Sequence, residues 1–564
     1  MVPLIERIGR TYDELPYTSH PFWQSAPEHL RAVAHLFGLE APAVDRARVL
    51  ELGCAAGGNL VPFATRHPQA QVVGIDLSAV QIEAGQRAVD AMGLKNLRLL
   101  QGSIAKLDPD LGTFDYIVCH GVYSWVPEDV RAAILRAIGE LLTPNGVAYV
   151  SYNAYPGWKA KEIVRDAMLL RGGHHATAGE QIAYGRGMIE FLHEMAPADS
   201  LLSKAVADDI EIVRNAQDYY LAHEYFELCN APCYFRDFIG AARSHGLEYL
   251  GDATVGSMFA SNYGRAAQPL LSECGGDQVV LEQLMDFLNN RTFRQTLLVR
   301  GERSESIRYQ LDGERIAHMH IAGRYVPSGQ VQDEWQYAFG TATVTAGMEP
   351  TRGVIAALNA AWPATVPVRA LLDAAGADAA NAVLAFVNNL IVGSAVQIRC
   401  EPVAAPVLGE FPEARAEARA LSAPGEMPVA LFNEWHRTVE PGTLERFLLA
   451  RLDGRTSASQ LIDTVTAAVH DGALSLMRDG KALQDPTEVA ATAAELTGRS
   501  LNWLAQNALL APASSASVPV AGPQPAKASK PNPKAAAKSP PQAKPAKQAK
   551  GASEGRAPGK PKKS

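Results

Sequence analysis

The twelve residues Arg48–Asn59, RVLELGCAAGGN, decide most about this chain. An extended apolar run ends in a stretch containing Gly53, Gly57 and Gly58, and a helical pattern, NLVPFATRH, begins at once. Glycine supplies the positive φ and close backbone approach that a strand-to-helix reversal needs, so the run predicts the first βα unit of an open sheet. The unit then repeats. QVVGID (71–76) leads into a helix over 78–93, LRLLQG (97–102) into Ser103, and FDYIVCHG (114–121) into a helix over 128–142; after Pro144-Asn145-Gly146, VAYVSYN (147–153) closes the series. Alternation of this kind predicts a parallel sheet covered by helices on both faces, with ligands at the carboxyl ends of the strands.

The chemistry of the first turn separates two cofactor classes. A dinucleotide fingerprint places a second glycine where the backbone meets a pyrophosphate, and here that place is filled by Ala55, which carries a methyl group. Glu51 adds a carboxylate beside the turn; it repels a diphosphate but can bond the cationic amino group of a methionine moiety. S-adenosylmethionine is therefore favoured over NAD or FAD. Asp76, at the end of the second strand, suits the two ribose hydroxyls that both classes share, and does not discriminate.

Taken together, VLELGCAAGGN, VVGIDLS, QGSIAKL and FDYIVCHGVYSWVP resemble the class I S-adenosylmethionine-dependent methyltransferases over residues 48–158. By position, the resemblance implies a cofactor set of Glu51, Gly53, Cys54, Gly57 and Asn59 around the methionine moiety, Asp76 and Leu77 at the ribose, Ser103 and Ile104 at the adenine, and His120 and Gly121 beside the sulfonium. Ser103 stands where many members have Asp, a stronger acceptor for the adenine amino group. HGVYSWVP, SYNAYPGW, YLAHEYFELCNAPCYFRDF and DFLNNRTFRQTLLVRG are similar to a bacterial subfamily that joins such a domain to a methyltransferase regulatory domain and includes lysine methyltransferases of outer-membrane proteins. This resemblance covers residues 10–301 well and 302–511 loosely; Ser25-Ala26-Pro27 departs from it where a Thr-His-Pro-like sequence is expected.

For transfer to lysine, the aromatic words after strands four and five nominate Tyr123, Trp125, Tyr152 and Tyr155 as catalytic residues, since aromatic faces hold a methylated ammonium by cation–π contact. Packing of the connecting loops is the competing reading, and no acid/base pair stands out. Tyr12, Tyr17 and His20 could cap the cofactor. His174-His175 and the His223 and Cys229 pair do not reproduce compact ligand spacing, and no metal is expected.

The fold class expected is α/β: a Rossmann-like seven-stranded class I methyltransferase sheet with a helical insertion, then winged-helix-like α+β modules and a disordered C-terminal tail. GLEYLGDATV (246–255) and FRQTLLVRG (293–301) fit strands six and seven. The expected divisions are a helical cap over 1–45, a methyltransferase domain over 46–301 with an insertion at 159–232 and a regulatory region at about 215–301, a middle winged-helix-like domain over 302–411, a second over 412–511, and a tail over 512–564. In the middle domain, 351–361, 367–374 and 378–391 read as helices followed by a strand, GSAVQIRC. The helix AANAVLAFVNN (379–389) has no Lys or Arg to meet phosphate, which turns this module from DNA toward a protein contact or a homodimer.

Of 52 basic and 60 acidic side chains, eleven and one lie in 512–564, so the tail carries +10 and the body −18. Almost no apolar surface offsets the tail's ordering entropy, and it reads either as an arm for polyanions or as a solubilising extension. Charged residues in the first ten positions and the lack of a long apolar run lead us to expect a cytoplasmic protein without an integral membrane span. The expected activity is methyl transfer from S-adenosylmethionine to lysine on a protein substrate. A small-molecule methyltransferase and a non-catalytic cofactor-sensing protein are the alternatives.

Overall fold

The protein is described from a computed structural model covering residues 18–512, except 176, 198, 265–268, 270–272, 333, 348, 424–426 and 479–480. The tail expected over 512–564 lies almost wholly outside the described residues, as do Tyr12 and Tyr17. Among the described residues, the central sheet has seven strands: β1 (Arg48–Leu52), β2 (Gln71–Asp76), β3 (Leu97–Gln101), β4 (Phe114–Cys119), β5 (Leu142–Asn153), β6 (Leu247–Asp252) and β7 (Phe293–Arg300). Their order is β3-β2-β1-β4-β5-β7-β6. β1 to β5 run parallel, and β7 lies antiparallel between β5 and β6. The expected sixth and seventh strands are therefore present. The order turns back between β1 and β4, which opens a crevice at their carboxyl ends.

The inner strands are nearly continuous apolar runs because helices cover both sides. Val49, Leu50, Leu52, Tyr116, Ile117, Val118 and Cys119 are all buried. Helix α1 (Pro27–Leu36), with Pro27 at its first position, precedes the sheet and buries Leu30, Val33 and Leu36. The last two strands are fastened by a buried charge cluster. Arg294 on β7 meets Asp286 at 2.8 Å and Glu282 at 3.0 Å, both from the helix Gln278–Leu288, while its guanidinium lies 3.6 Å over the Phe235 ring. Breaking one member would strand a buried charge, at about 3–5 kcal/mol.

Between β5 and β6 the chain forms the helices Trp158–Gly172, Ala178–Met195, Leu201–Asn215 and Asp218–Tyr225. They share a separate apolar core containing Val164, Met168, Ile182, Ile189, Val213, Leu221 and Tyr225. Further on, helices Glu349–Ala361, Val368–Ala375 and Ala377–Val392 pack beside a small sheet of His320–Ala322, Val366–Pro367 and Gln397–Arg399. These match the expected three helices and strand. A second sheet, Val326–Val331, Glu334–Phe339 and Ala342–Ala346, was not anticipated, because its first strand is exposed throughout and shows no apolar alternation. Helices Thr443–Leu449, Ala458–His470 and Pro486–Gln506 complete the described chain.

Candidate functional site

The loop after β1 is built by backbone geometry. Gly53 and Gly57 sit at φ +79° and +80°, and Ala55 adopts φ +47° despite its Cβ. The amides of Gly53 and Cys54 both donate to the Ile75 carbonyl, and the Ala55 amide donates to Asp76 Oδ2 at 2.8 Å. Asp76 Oδ1 accepts from the Ser78 amide at 2.9 Å. This carboxylate therefore ties the glycine loop to the start of the next helix. Cys54 does not join the mouth of the site: its thiol packs behind the loop, 2.6 Å from where a Cβ on Gly74 would lie.

Glu51 is 3 % exposed, and its Oε1 accepts from Asn59 Nδ2 at 2.8 Å. Its Oε2 is buried without a hydrogen-bond partner. Burial, with the Asp76 charge nearby, pushes the Glu51 carboxyl up to about 8. An acidic group in this state is primed to ionise against an incoming cation. Asn59 does not itself open to a ligand. Its amide nitrogen serves Glu51 and Ser25 Oγ, while its oxygen accepts from the Phe22 amide and lies 2.9 Å from His436 Nε2. The expected direct role of Asn59 becomes an indirect one, because the neighbouring segments use up its bonding capacity.

At the other strand ends, Ser103 Oγ caps the Ala105 amide, Ile104 is half-buried against the core, and the Leu77 carbonyl accepts from Gln101 Nε2. His120 follows β4. Its Nδ1 lies 2.9 Å from the Tyr149 hydroxyl and 3.3 Å from Ser151 Oγ, and its ring stacks on Phe22 at 3.7 Å. Desolvation lowers the imidazole to about 4, so it is neutral near pH 7. Gly121, at φ +68°, donates its amide to Ser151 Oγ; among the described residues, no atom lies within 4 Å of the place a Cβ would take. Phe293, from β7, lies edge-on to His120 at 6.2 Å.

Of the four aromatic candidates, Tyr123 and Tyr152 pack on each other, with 6.0 Å between ring centroids. Tyr152 is 1 % exposed, stacks on Phe238 at 4.1 Å and bonds Thr296 Oγ1 through its hydroxyl. Tyr123 also packs on Phe238, at 5.1 Å. Side chains alternate along a strand, so Tyr149, Ser151 and Asn153 share the His120 face and Tyr152 points the other way. Tyr123 and Tyr152 are thus corrected to core residues. Trp125 is half-buried, edge-on to the buried Trp158 at 6.1 Å. Tyr155 hydrogen-bonds Glu162, and Lys159 Nζ lies 3.7 Å above its ring. His20 is 3.2 Å from Thr438 Oγ1, turned toward the C-terminal region. Sequence reasoning missed Phe22, Tyr149, Ser151 and Phe293; the period-two register of β5 carried the signal for Tyr149 and Ser151.

Comparisons with known proteins agree with the fold. Residues 49–146 match a family described as a methyltransferase domain, 217–300 a predicted methyltransferase regulatory domain, and 410–509 the PKMT C-terminal winged helix domain. The uncharacterised protein RP789 of Rickettsia prowazekii is 30 % identical over 522 residues, covering 88 % of this chain and 93 % of its own length. The structure of PKMT2 from Rickettsia typhi in complex with AdoHcy superposes with a TM-score of 0.79 at 27 % identity, covering 88 % of this chain and all of that one. A second structure of PKMT2 from Rickettsia typhi gives 0.78 at 26 % identity. With its seven-stranded sheet, its glycine loop beside two carboxylates and these full-length relatives, the chain belongs to the S-adenosylmethionine-dependent methyltransferases that join a methyltransferase domain to a regulatory domain and a PKMT-type winged helix.

Proposed function

We propose that this methyltransferase modifies lysine side chains of a protein, and that Glu51 carries the recognition of its cofactor. The supporting observation is Glu51 Oε2, a buried carboxyl oxygen left without a hydrogen-bond partner beside the glycine loop. A methionine ammonium would meet that oxygen, ionise the carboxyl and turn a desolvation cost into a charge-assisted bond. Gly53 and Gly57 shape the loop, Asp76 and Leu77 border the ribose, and Ser103 and Ile104 border the adenine. When bound, S-adenosylmethionine supplies a sulfonium-activated methyl group. The chain's own part is to orient the acceptor and keep water away from it.

Phe22, the neutral His120 and Phe293 form the rim we assign to the acceptor. Aromatic faces attract an ammonium, and a neutral imidazole does not repel it. Lysine as acceptor is supported by the likeness to PKMT2 across nearly the whole chain, winged helix included. A regulatory region that supplies β7, and with it Phe293, belongs to the reaction site itself in this reading. The domain divisions set out above are part of the same proposal, as is cytoplasmic residence; no helix among the described residues is long and apolar enough to cross a membrane. We favour a homodimer, because Leu170, Phe191, Met195 and Tyr219 leave apolar surface exposed on the inserted helices.

The deciding experiment incubates the purified protein with methyl-labelled S-adenosylmethionine and separated host fractions. Label recovered as methyl-lysine from a protein band is the expected result. Label in small molecules alone would overturn the protein acceptor, and tight cofactor binding with no transfer to any fraction would instead make the chain a sensor.

A further inference from the structure

We infer that His436, within the PKMT-type winged helix match, is a positioning residue of the cofactor pocket: acting through Asn59, it holds an amide N–H against one oxygen of Glu51 and so leaves the other without a partner. The inference rests on the proposed pairing of Glu51 with the cofactor's ammonium. His436 lies 377 positions from Asn59 in sequence yet 2.9 Å from it in space, and it is fully buried.

The proton directions along this contact are forced. Arg66 Nη2 lies 3.0 Å from His436 Nδ1, and a guanidinium can only donate, so Nδ1 holds a lone pair. The ring proton is then on Nε2, which donates to Asn59 Oδ1. Burial, with the Arg66 charge beside it, holds the imidazole down to about 3, consistent with a neutral ring. Arg66 is in turn set by Glu28 at 2.8 Å, with both side chains buried. The Asn59 amide is held against a flip by two donors on one oxygen, His436 Nε2 and the Phe22 backbone amide, each at 2.9 Å. Its nitrogen therefore faces Glu51 Oε1, and Oε2 is the oxygen left over. Carboxylate, guanidinium, imidazole, amide and carboxyl follow one another, each with its hydrogen-bond sense dictated by its neighbour.

The segment carrying His436 is built to hold it still. Trp435 stacks on Trp362 at 5.8 Å with 7° between the planes and donates Nε1–H to the Pro363 carbonyl at 3.0 Å. Asn433 Oδ1 accepts from the amides of Trp435 and Arg437, and Phe432 bridges Thr438 across the turn. His436 itself sits at φ +56°, a conformation that Asn and His adopt more readily than most residues. A second tie runs nearby: the Ser19 amide donates to the Pro428 carbonyl, the Ala430 amide donates to the Ser19 carbonyl, and the Gly58 amide donates to Ser19 Oγ at 3.0 Å. Asn59 is thus tied to the C-terminal region directly, through His436, and the adjacent Gly58 by way of Ser19.

The test uses the full-length protein and three substitutions. His436→Gln keeps an acceptor for Arg66 and an N–H within reach of Asn59; His436→Asn keeps only the acceptor; His436→Met keeps neither. We expect S-adenosylhomocysteine to bind His436→Gln within about threefold of the parent and His436→Asn about tenfold more weakly, as loss of one buried hydrogen bond implies. With saturating cofactor and a purified methyl-accepting protein, kcat and the acceptor KM should stay within about threefold. Should His436→Met fail to fold, the Gln and Asn pair still decides. Equal affinity across the folded variants, or a fall in kcat with cofactor affinity unchanged, would overturn the inference. Glu51→Gln, measured in parallel, separates the two layers: if it binds normally, the pocket reading falls and this inference with it, whereas weak binding there with an unchanged His436 series overturns the inference alone.

Discussion

The two faces of β5 hold similar residues and do opposite work. On one, Tyr149 and Ser151 turn their hydroxyls to His120 and Gly121, and Gln295 from β7 bonds the Tyr149 hydroxyl at 3.1 Å. On the other, Val150 and Tyr152 face the core, with Tyr152 flat against Phe238; all four side chains are buried, so the faces differ in their partners and not in their exposure. A tyrosine on this strand is therefore part of the site or part of the core according to parity alone. Aromatic content near a strand end is no guide until the register is known.

That contrast can be tested from the core side first. Tyr152→Ala should cost about 3–5 kcal/mol of stability, the usual range for emptying a buried aromatic site, and lower the melting temperature. The surviving folded fraction should keep near-parental affinity for S-adenosylhomocysteine; a selective loss of that affinity would return Tyr152 to the site. Phe293→Ala, on the His120 side and 38 % exposed, should do the reverse. We expect about a tenfold drop in kcat/KM for the methyl acceptor with a melting temperature close to the parent's. Ser151→Ala removes the acceptor of the Gly121 amide and should cost about 1 kcal/mol in stability, with a measurable fall in cofactor affinity by calorimetry.

A further effect is one of pH. His120 is held down to about 4 against an ordinary value of 6.5, so between these values the unfolded chain takes up a proton that the folded ring refuses. Its contribution to stability is present above pH 6.5 and is lost as the pH falls through that window toward 4. Melting temperatures recorded from pH 7.5 to 4.5 should fall less steeply for His120→Asn than for the parent. Parallel slopes would mean that the imidazole is better hydrated than its stacking on Phe22 implies.

How far the sequence could be read follows from the range of each interaction. The strands of the sheet announce themselves by local apolar runs, and Glu51 and Asp76 by their distance from the glycine turn. Even β6 and β7 are recognisable, because FRQTLLVRG and GLEYLGDATV are strand-like in isolation. Tyr152 was misplaced because composition names an aromatic residue but parity decides its face, and Tyr123 because its packing partner, Phe238, comes from a distant helix. Cys54 and Asn59 lie where the family pattern puts them, yet their neighbours, Gly74 for one and Ser25, Phe22 and His436 for the other, come from other segments. Phe22 and His436 are out of reach of any local rule, since each reaches the glycine loop only after distant parts of the chain have packed. The exposed Val326–Val331 strand has no buried face to leave a pattern.

The sheet order has a consequence for how this protein must be made. β7 lies between β5 and β6, although β6 leaves the ribosome first. From the emergence of Asn153 until Phe293 follows it, the edge of β5 has no partner and β6 has nothing to pair with. At about 5–20 residues per second this wait is on the order of 10–30 seconds, long enough for an unpaired edge to meet another nascent chain. The inserted helices, with an apolar core of their own, can fold during that interval, so that the gap in the sheet is spanned by a settled body when its last strand arrives.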